Sequence, residues 1–192
     1  MEQHLMTQLE DPDALPQPLG EYKPVDYWQA HINALFYQLR GDQQRSFYQT
    51  FTSADYRLAH ALAVDYFEQV VKRDKKVAAK RVASGEQGGA PSQLTVMEWG
   101  PGNGNLAACF LSHLQRLDKA GQVYPRVRYV LVDSQASALE QARAHPDLAP
   151  HLTQVGSLCA EVENLETIAA GSVDRILCNE QWNELATKLI VK

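Results

Sequence analysis

The sequence lacks several features that would assign it to common protein classes. No window approaches the roughly 18 consecutive apolar residues that a membrane-spanning helix needs. The formal net charge is −5, so there is no excess of positive charge to attract nucleic acid phosphates. The first 24 residues carry acids and prolines but no apolar core segment, unlike a secretory signal or a transit peptide. We therefore expect a soluble, cytoplasmic protein with neither a membrane nor a nucleic acid partner.

Metal-binding and disulfide patterns are also missing. The three cysteines are odd in number and widely spaced, in apolar contexts that suit small buried side chains. None of the six histidines lies four residues from another, which is the spacing of a helical metal site. We expect no metal ion and no disulfide. The cysteines are Cys109, Cys159 and Cys178.

The amino-terminal part predicts an arm followed by helices. Residues 1–24 contain four prolines, which favour an extended arm over a helix. Residues 25–92 predict a helical extension and a loop, beginning with a helix over "VDYWQAHINALFYQLR". A longer helix is predicted over "FTSADYRLAHALAVDYFEQVVKR", with Thr52 or Ser53 as its cap. Its predicted buried face comprises Leu58, Leu62, Phe67 and Val71.

The segment "KRDKKVAAKRVASGEQGGAPSQ" follows this helix. It is first basic and then rich in glycine, serine and proline, which is typical of a helix end followed by an exposed loop. The basic cluster could touch phosphates. A solvated helix end is the favoured interpretation, because no aromatic residues interleave with the charges.

Residues 93–192 alternate between strand and helix patterns. Strands are predicted over "LTVMEW", "VRYVLVD", "HLTQVGS" and "VDRILCN". Helices are predicted over "NLAACFLSHLQRL", "ASALEQARA" and "CAEVENLETIA". Strands that alternate with helical crossovers form a largely parallel sheet covered on both faces, so we expect an α/β fold.

A glycine-rich turn joins the first of these strands to its helix. Gly100, Gly102 and Gly104 alternate with other residues, whereas a dinucleotide site requires the spacing G-x-G-x-x-G. The G-K-[ST] triplet of a phosphate-binding loop occurs nowhere in the chain. The spacing therefore disfavours both NAD and ATP. A tight connection that binds no ligand remains an alternative.

Two acidic residues point to a cationic ligand. Glu98 precedes the turn and would repel a pyrophosphate, and Asp133 ends the neighbouring strand, where a carboxylate can accept hydrogen bonds from a ribose. S-adenosyl-L-methionine meets both demands, because it carries an ammonium, a sulfonium, a carboxylate and a ribose diol. For Asp133 alone, a helix N-cap is the competing interpretation.

The stretch "MEWGPGNGN" resembles the first motif of class I S-adenosylmethionine-dependent methyltransferases, acid-x-Gly-x-Gly-x-Gly after a strand. More narrowly, the chain resembles the MidA-like family, which includes a mitochondrial protein arginine methyltransferase that assists complex I assembly. The stretches that carry this resemblance are "EWGPGNGNLAACFL", "YVLVDSQASALEQAR", "VDRILCNEQWNEL" and, more weakly, "FYQTFTSADYRLAHAL". In the third stretch Asn179, Glu180 and Leu185 agree with the family pattern, while Gln181, Trp182, Asn183, Glu184 and Ala186 depart from it.

The resemblance implies a Rossmann-like fold, a methyl donor and a protein acceptor. Glu98, Gly100, Pro101, Gly102 and Gly104 would line the methionine end of S-adenosyl-L-methionine, Asp133 its ribose, and Ser157 with Leu158 its adenine. Asn179 and Glu180 would lie beside the acceptor, and Glu180 could hold a guanidinium by two hydrogen bonds. A helix-start position that faces the dipole is an equal alternative for Glu180.

The sequence ends at Lys192, shortly after the fourth predicted strand, whereas class I methyltransferases continue with further strands. We therefore expect a sheet truncated after its fourth strand, with an uncovered edge that favours self-association. Two functions follow from these expectations. One is a methyltransferase acting on a protein arginine, and the other is a non-catalytic assembly or interaction protein with the same fold.

Overall fold

The computed structural model describes residues 21–40, 50–85, 92–161, 166 and 168–179. The chain divides into two compact units, one formed by residues 1–48 and 182–192 and the other by residues 49–181. In the first unit, helix α1 spans Val25–Arg40, which confirms the predicted helix. Most of the predicted amino-terminal arm lies outside the described residues.

The second unit begins with two helices where the sequence predicted one. Helix α2 spans Phe51–Ala54 and helix α3 spans Arg57–Ser84. They are separated because Asp55 is extended and its Oδ1 accepts a hydrogen bond from the Arg57 amide at 2.7 Å, which fixes the start of α3. The predicted caps Thr52 and Ser53 are therefore wrong, since both residues lie inside α2.

Helix α3 continues through the basic segment that was predicted to be a helix end. Lysine and arginine favour helices, and two ion pairs tie the segment to neighbouring elements: Arg73 pairs with Asp174, and Asp74 pairs with Arg126 at 2.6 Å. The helix ends before Gly85, whose φ of 73° is the left-handed conformation of a helix C-cap.

The buried face of α3 also differs from the prediction. Its buried residues are Ala59, Ala63, Tyr66 and Val70, whereas Leu58 is exposed. The predicted Leu62, Phe67 and Val71 are only partly buried at the margin of the core. The prediction followed the largest apolar residues. Instead, Ala59 and Ala63 are fully buried, and their small side chains allow α3 to approach the helix Asn105–Leu117 closely.

The sheet contains four described strands, all parallel, in the order β3-β2-β1-β4. They span Leu94–Trp99 (β1), Val127–Asp133 (β2), Val155–Cys159 (β3) and Arg175–Cys178 (β4). Helix α4 spans Asn105–Leu117 and helix α5 spans Ala136–Arg143. This arrangement confirms the predicted α/β fold with a parallel sheet. Strand β1 lies inside the sheet, between β2 and β4, which explains why four of its six residues are buried.

Strand β3 starts later than predicted. The sequence placed a strand over residues 151–157, but Pro146–His151 is a 3-10 helix and β3 ends at Cys159. The cause is His151, which is buried and bonded through both ring nitrogens, to the Ser112 hydroxyl at 2.9 Å and the Tyr124 hydroxyl at 2.6 Å. A helix was predicted over residues 159–169, but Cys159 belongs to β3 and residues 160, 161, 166, 168 and 169 are not helical. The other residues of that prediction lie outside the described residues.

Two expectations drawn from composition can be compared with the described residues. Cys159 is exposed, and Cys109 and Cys178 are half-buried, so the expectation of buried cysteines is wrong for Cys159. Within the described part of the chain, no helix has the length and apolar character needed to cross a membrane.

Candidate functional site

The glycine-rich turn lies at the carboxyl end of β1, beside the point where the strand order reverses between β1 and β4. Gly100, Gly102 and Gly104 all have left-handed backbone conformations, with φ values of 67°, 55° and 83°. The Gly100 amide donates to the carbonyl of Val132 at 2.9 Å, which extends the pairing with β2 past the end of β1. Ligands of open parallel sheets bind at this kind of position.

Gly102 and Gly104 have different surroundings. A Cβ atom on Gly104 would lie 2.3 Å from the backbone carbonyl oxygen of Ala142, so this residue allows α4 to start against α5. A Cβ on Gly102 would have no heavy atom within 4 Å. Gly104 therefore serves the packing of the fold, whereas the space above Gly102 is open to a ligand. Pro101 belongs to the same turn, and its carbonyl accepts from the Gly104 amide at 2.9 Å.

Glu98 is buried beneath this turn, with 3% of its surface exposed. Its Oε2 accepts a hydrogen bond from the Tyr129 hydroxyl at 2.7 Å. Burial raises the pKa of Glu98 to about 8, and the hydrogen bond from Tyr129 opposes that rise. The carboxyl group is therefore neutral at pH 7, and its interaction with a cationic ligand stays a prediction. Tyr129 was missed from the sequence, although its place in β2 puts it on the same face of the sheet as Glu98.

Glu98 should make the stability of the protein pH-dependent. An unfolded glutamate titrates near pH 4, so between about pH 4 and pH 8 only the folded state holds this proton. The stabilisation is full below that window and is lost as the pH rises through about 8. Across this window the free energy of unfolding of the wild type should fall by several kcal/mol relative to that of Glu98→Gln, because each unit of pKa difference between the folded and unfolded states contributes about 1.4 kcal/mol.

Urea unfolding of both proteins at about pH 5 and about pH 9 measures this difference. Tyr129→Phe is the matched variant. Removing its hydroxyl takes away the hydrogen bond that lowers the pKa of Glu98, so in this variant the stabilisation should persist to a higher pH than in the wild type. Parallel pH profiles for wild type and Glu98→Gln would show that Glu98 is ionised in the folded protein.

Asp133 ends β2, one strand away from the glycine turn. Its Oδ1 accepts from the Gln135 amide at 2.9 Å and so shapes the start of α5. Burial raises the pKa of Asp133, the amides of Gln135 and Ser134 lower it, and the charge of Glu161 raises it again. The N-cap-like role and a ribose-binding role are compatible, because a half-buried carboxylate has two oxygens.

Ser157 and Leu158 lie inside β3 rather than at its carboxyl end. The register pairs Ser157 with Leu131 and Leu158 with Val132, and Cys159 is the residue opposite Asp133. The Ala160 amide then donates to the carbonyl of Asp133 at 3.0 Å. The backbone that reaches the level of Asp133 is therefore that of residues 159–161, two residues beyond the predicted adenine contacts.

Asn179 follows β4 directly and lies on the other side of the glycine turn from Asp133. Its Nδ2 donates to the Thr52 hydroxyl of α2 at 3.0 Å, so the amide links the end of β4 to the short helix. Glu180 lies outside the described residues. The structure thus brings together the glycine turn, Asp133 and Asn179 at one edge of the sheet.

Asn103 and Asn105 also donate hydrogen bonds to backbone carbonyls in and next to α2, and the sequence did not predict either contact. Asn103 Nδ2 donates to the Ser53 carbonyl at 2.7 Å. Asn105 Nδ2 donates to the carbonyls of Thr52 at 2.7 Å and Asp55 at 3.2 Å. Asn105, which stands where a dinucleotide motif has glycine or alanine, therefore acts together with Asn103 to hold α2 beside the glycine turn.

We expect Asn105→Asp to destabilise this region although the two side chains have nearly the same shape. A carboxylate at a helix start is normally favourable, but it cannot donate to the two carbonyls and would face them with negative charge. The expected loss is about 1–3 kcal/mol in urea unfolding, with faster amide exchange in residues 51–56. Unchanged stability would show that the hydrogen bonds from Asn105 to these two carbonyls do not stabilise the protein.

The described residues contain no group of three or more histidine, cysteine, aspartate or glutamate side chains that could hold a metal ion. The polar groups that the described residues present at this edge are backbone amides, carboxylates and amide side chains. These groups suit an organic ligand with a positive charge and hydroxyl groups.

The chain is similar to a known protein family and to several solved structures. Residues 77–191 match the model of a family described as "Putative S-adenosyl-L-methionine-dependent methyltransferase". One similar solved structure is a COG1565 superfamily member from Burkholderia thailandensis bound to S-adenosyl-homocysteine, with 22% identity, a TM-score of 0.33, and coverage of 77% of this chain and 41% of that one.

A second solved structure is cofactor-bound Rv0187 from MTB, with 17% identity, a TM-score of 0.34, and coverage of 83% of this chain and 62% of that one. The match therefore spans less than two thirds of either solved chain. No curated protein matches the sequence significantly.

Proposed function

The chain belongs to the family of S-adenosyl-L-methionine-dependent methyltransferases, and from that premise we propose that it transfers the methyl group of this cofactor to an arginine side chain of a protein. The observation that carries the proposal is the open, left-handed glycine turn at the carboxyl end of β1, flanked by Asp133 and Asn179. The choice of arginine rests on the resemblance to the MidA-like family.

The cofactor would lie across the carboxyl edge of the sheet. Its methionine end would follow the turn from Gly100 to Gly104, where the amino end of α4 favours a carboxylate. Asp133 would bind the ribose hydroxyls. The adenine would lie near the end of β3, and the backbone of residues 159–161 reaches this level more directly than the predicted Ser157 and Leu158.

The acceptor would enter on the β4 side. Bound S-adenosyl-L-methionine would supply an activated methyl group for a guanidinium nitrogen, would leave as a neutral thioether, and the methylated nitrogen would lose a proton to solvent. Alignment of nitrogen, methyl and sulfur supplies most of the rate acceleration in such a transfer. Asn179 would position the acceptor through its link to Thr52, and Glu180 would orient the guanidinium.

Isothermal titration with S-adenosylhomocysteine tests the donor half of this proposal. We expect saturable binding to the wild type and at least tenfold weaker binding to Asp133→Ala, because the ribose loses its carboxylate partner. Absence of heat at high micromolar ligand would contradict the proposal.

Mass spectrometry of arginine-containing proteins incubated with S-adenosyl-L-methionine tests the acceptor half. Mono- or dimethylated arginine should form with the wild type and, at a cofactor concentration that limits the rate, much more slowly with Asp133→Ala. Intact cofactor binding without methylation of any candidate protein would instead favour a non-catalytic assembly protein. Methylation of lysine or of a small molecule would support methyltransferase activity but contradict the choice of arginine as the acceptor.

A further inference from the structure

A groove lies at the edge of the sheet opposite to the glycine turn. It runs between the second half of α3 and the start of β4, with a volume of about 760 Å³. Helix α3 begins near the glycine turn, where the Asp55 carbonyl binds Asn105, and runs to the start of β4, where Arg73 pairs with Asp174. At 1.5 Å per residue, the stretch from Arg57 to Lys76 covers about 28 Å. The groove is therefore separate from the cofactor site.

The groove has a cationic rim on a protein whose net charge is negative. Lys72, Lys76 and Lys80 recur every four residues along α3 and all contribute to its lining. Lys72 makes only an exposed contact with Glu68 at 3.5 Å, and Lys76 and Lys80 have no ion-pair partner among the described residues. The lysines are therefore available to bind carboxylates from another molecule.

The floor of the groove contains a buried hydroxyl that lacks a partner. Tyr66 is 2% exposed and lines the groove, and within the described residues its hydroxyl makes no hydrogen bond. Burial raises the pKa of Tyr66 well above its usual range, so the hydroxyl keeps its proton and can donate it. A buried polar group without a partner is unusual in native proteins, which suggests that a ligand acceptor completes this site. Val70 and Val77 add apolar surface beside it.

We propose that the groove binds an extended, acidic segment of a partner protein, with carboxylates on Lys72, Lys76 and Lys80 and a backbone carbonyl on the Tyr66 hydroxyl. Lysines four residues apart on a helix are separated by about 6 Å along its axis. Alternate residues of an extended chain are separated by about 6.6 Å. A peptide with acidic residues at every second position therefore matches the repeat of the lysines.

The length of the groove favours a peptide over a compact anion. Tyr66 and Lys80 are 14 positions apart in α3, which corresponds to about 21 Å and to about six residues of an extended chain. A single phosphate or carboxylate would contact one lysine and leave the rest of this length empty. The side chains between the carboxylates would face Val70 and Val77.

Fluorescence anisotropy with a labelled peptide of about seven alternating glutamate and valine residues tests the proposal. We expect saturable binding to the full chain that weakens as salt rises, because exposed charge pairs are screened. The double variant Lys76→Glu, Lys80→Glu should weaken binding at least tenfold. The matched control is Lys75→Glu, Lys119→Glu, which makes the same change in net charge at exposed lysines that do not line the groove. It should change binding less than threefold.

Tyr66→Phe separates binding from folding. It removes a hydroxyl that makes no bond in the free protein, so the melting temperature should stay the same or rise, while peptide affinity should fall about threefold to tenfold. Equal affinity of the groove and control double variants would overturn the proposal. So would failure of the peptide to bind the wild type, or equally tight binding of a lysine-valine peptide or of oligothymidine.

Discussion

Replacing Gly102 with valine is expected to abolish binding of S-adenosylhomocysteine while leaving the fold intact. The backbone at this residue is left-handed, with φ at 55°, and a Cβ would meet no protein atom within 4 Å. The valine side chain would therefore occupy the open space that the proposed cofactor needs. Its conformational cost of about 1–2 kcal/mol is small enough for a domain of this size to stay folded.

Gly121 provides a matched control for this variant. It has a similar φ of 63°, and a Cβ there would also meet nothing within 4 Å. It lies in the turn after α4, away from the carboxyl edge of the sheet. Gly121→Val should therefore cost similar stability and retain full affinity in isothermal titration. Retained affinity in Gly102→Val, with an unchanged circular dichroism spectrum, would remove the main support for a cofactor at the glycine turn.

Replacing Gly104 with alanine is expected to destabilise the protein more than the same replacement of Gly102. A Cβ at this position would lie 2.3 Å from the carbonyl oxygen of Ala142 and 3.0 Å from its carbon, both backbone atoms, and φ is 83°. Either α4 or the end of α5 must move. Overpacking of this kind costs about 1–3 kcal/mol, in addition to about 1–2 kcal/mol for the left-handed conformation.

The comparison with Gly102→Ala separates these two contributions. That variant carries the conformational cost alone, because its Cβ has open space around it. Urea unfolding should therefore show Gly104→Ala to be less stable than Gly102→Ala by about 1–3 kcal/mol. Equal stabilities would mean that α5 relaxes away from Gly104 without cost.

Much of the fold could be predicted because local signals marked its boundaries. Helix α4 and strand β2 have the bounds that the sequence indicated, since apolar periodicity and a flanking glycine or aspartate agreed there. The break at Asp55 was missed because it depends on one side chain bonding a nearby amide. The start of β3 was missed because His151 is fixed by contacts with residues distant in the sequence.

The candidate site was predictable to a similar extent. The glycine turn and Asp133 carry their chemistry within a few residues of a strand end, so spacing located them. The hydrogen bond between Glu98 and Tyr129 depends on the register of two strands, and the asparagine contacts join residues about 50 to 127 positions apart. A single sequence carries no signal for pairings at such distances.

The attachment of α2 has a consequence for which substitutions this region tolerates. Asn103 and Asn105 bind backbone carbonyls of residues 52, 53 and 55, which any amino acid would present. Phe51 and Ala54 are exposed. A library randomised at positions 51, 53 and 54 should therefore retain folded members with many compositions. Deleting one residue between 50 and 56 would misalign every carbonyl at once, so the segment constrains chain length more strictly than side-chain identity.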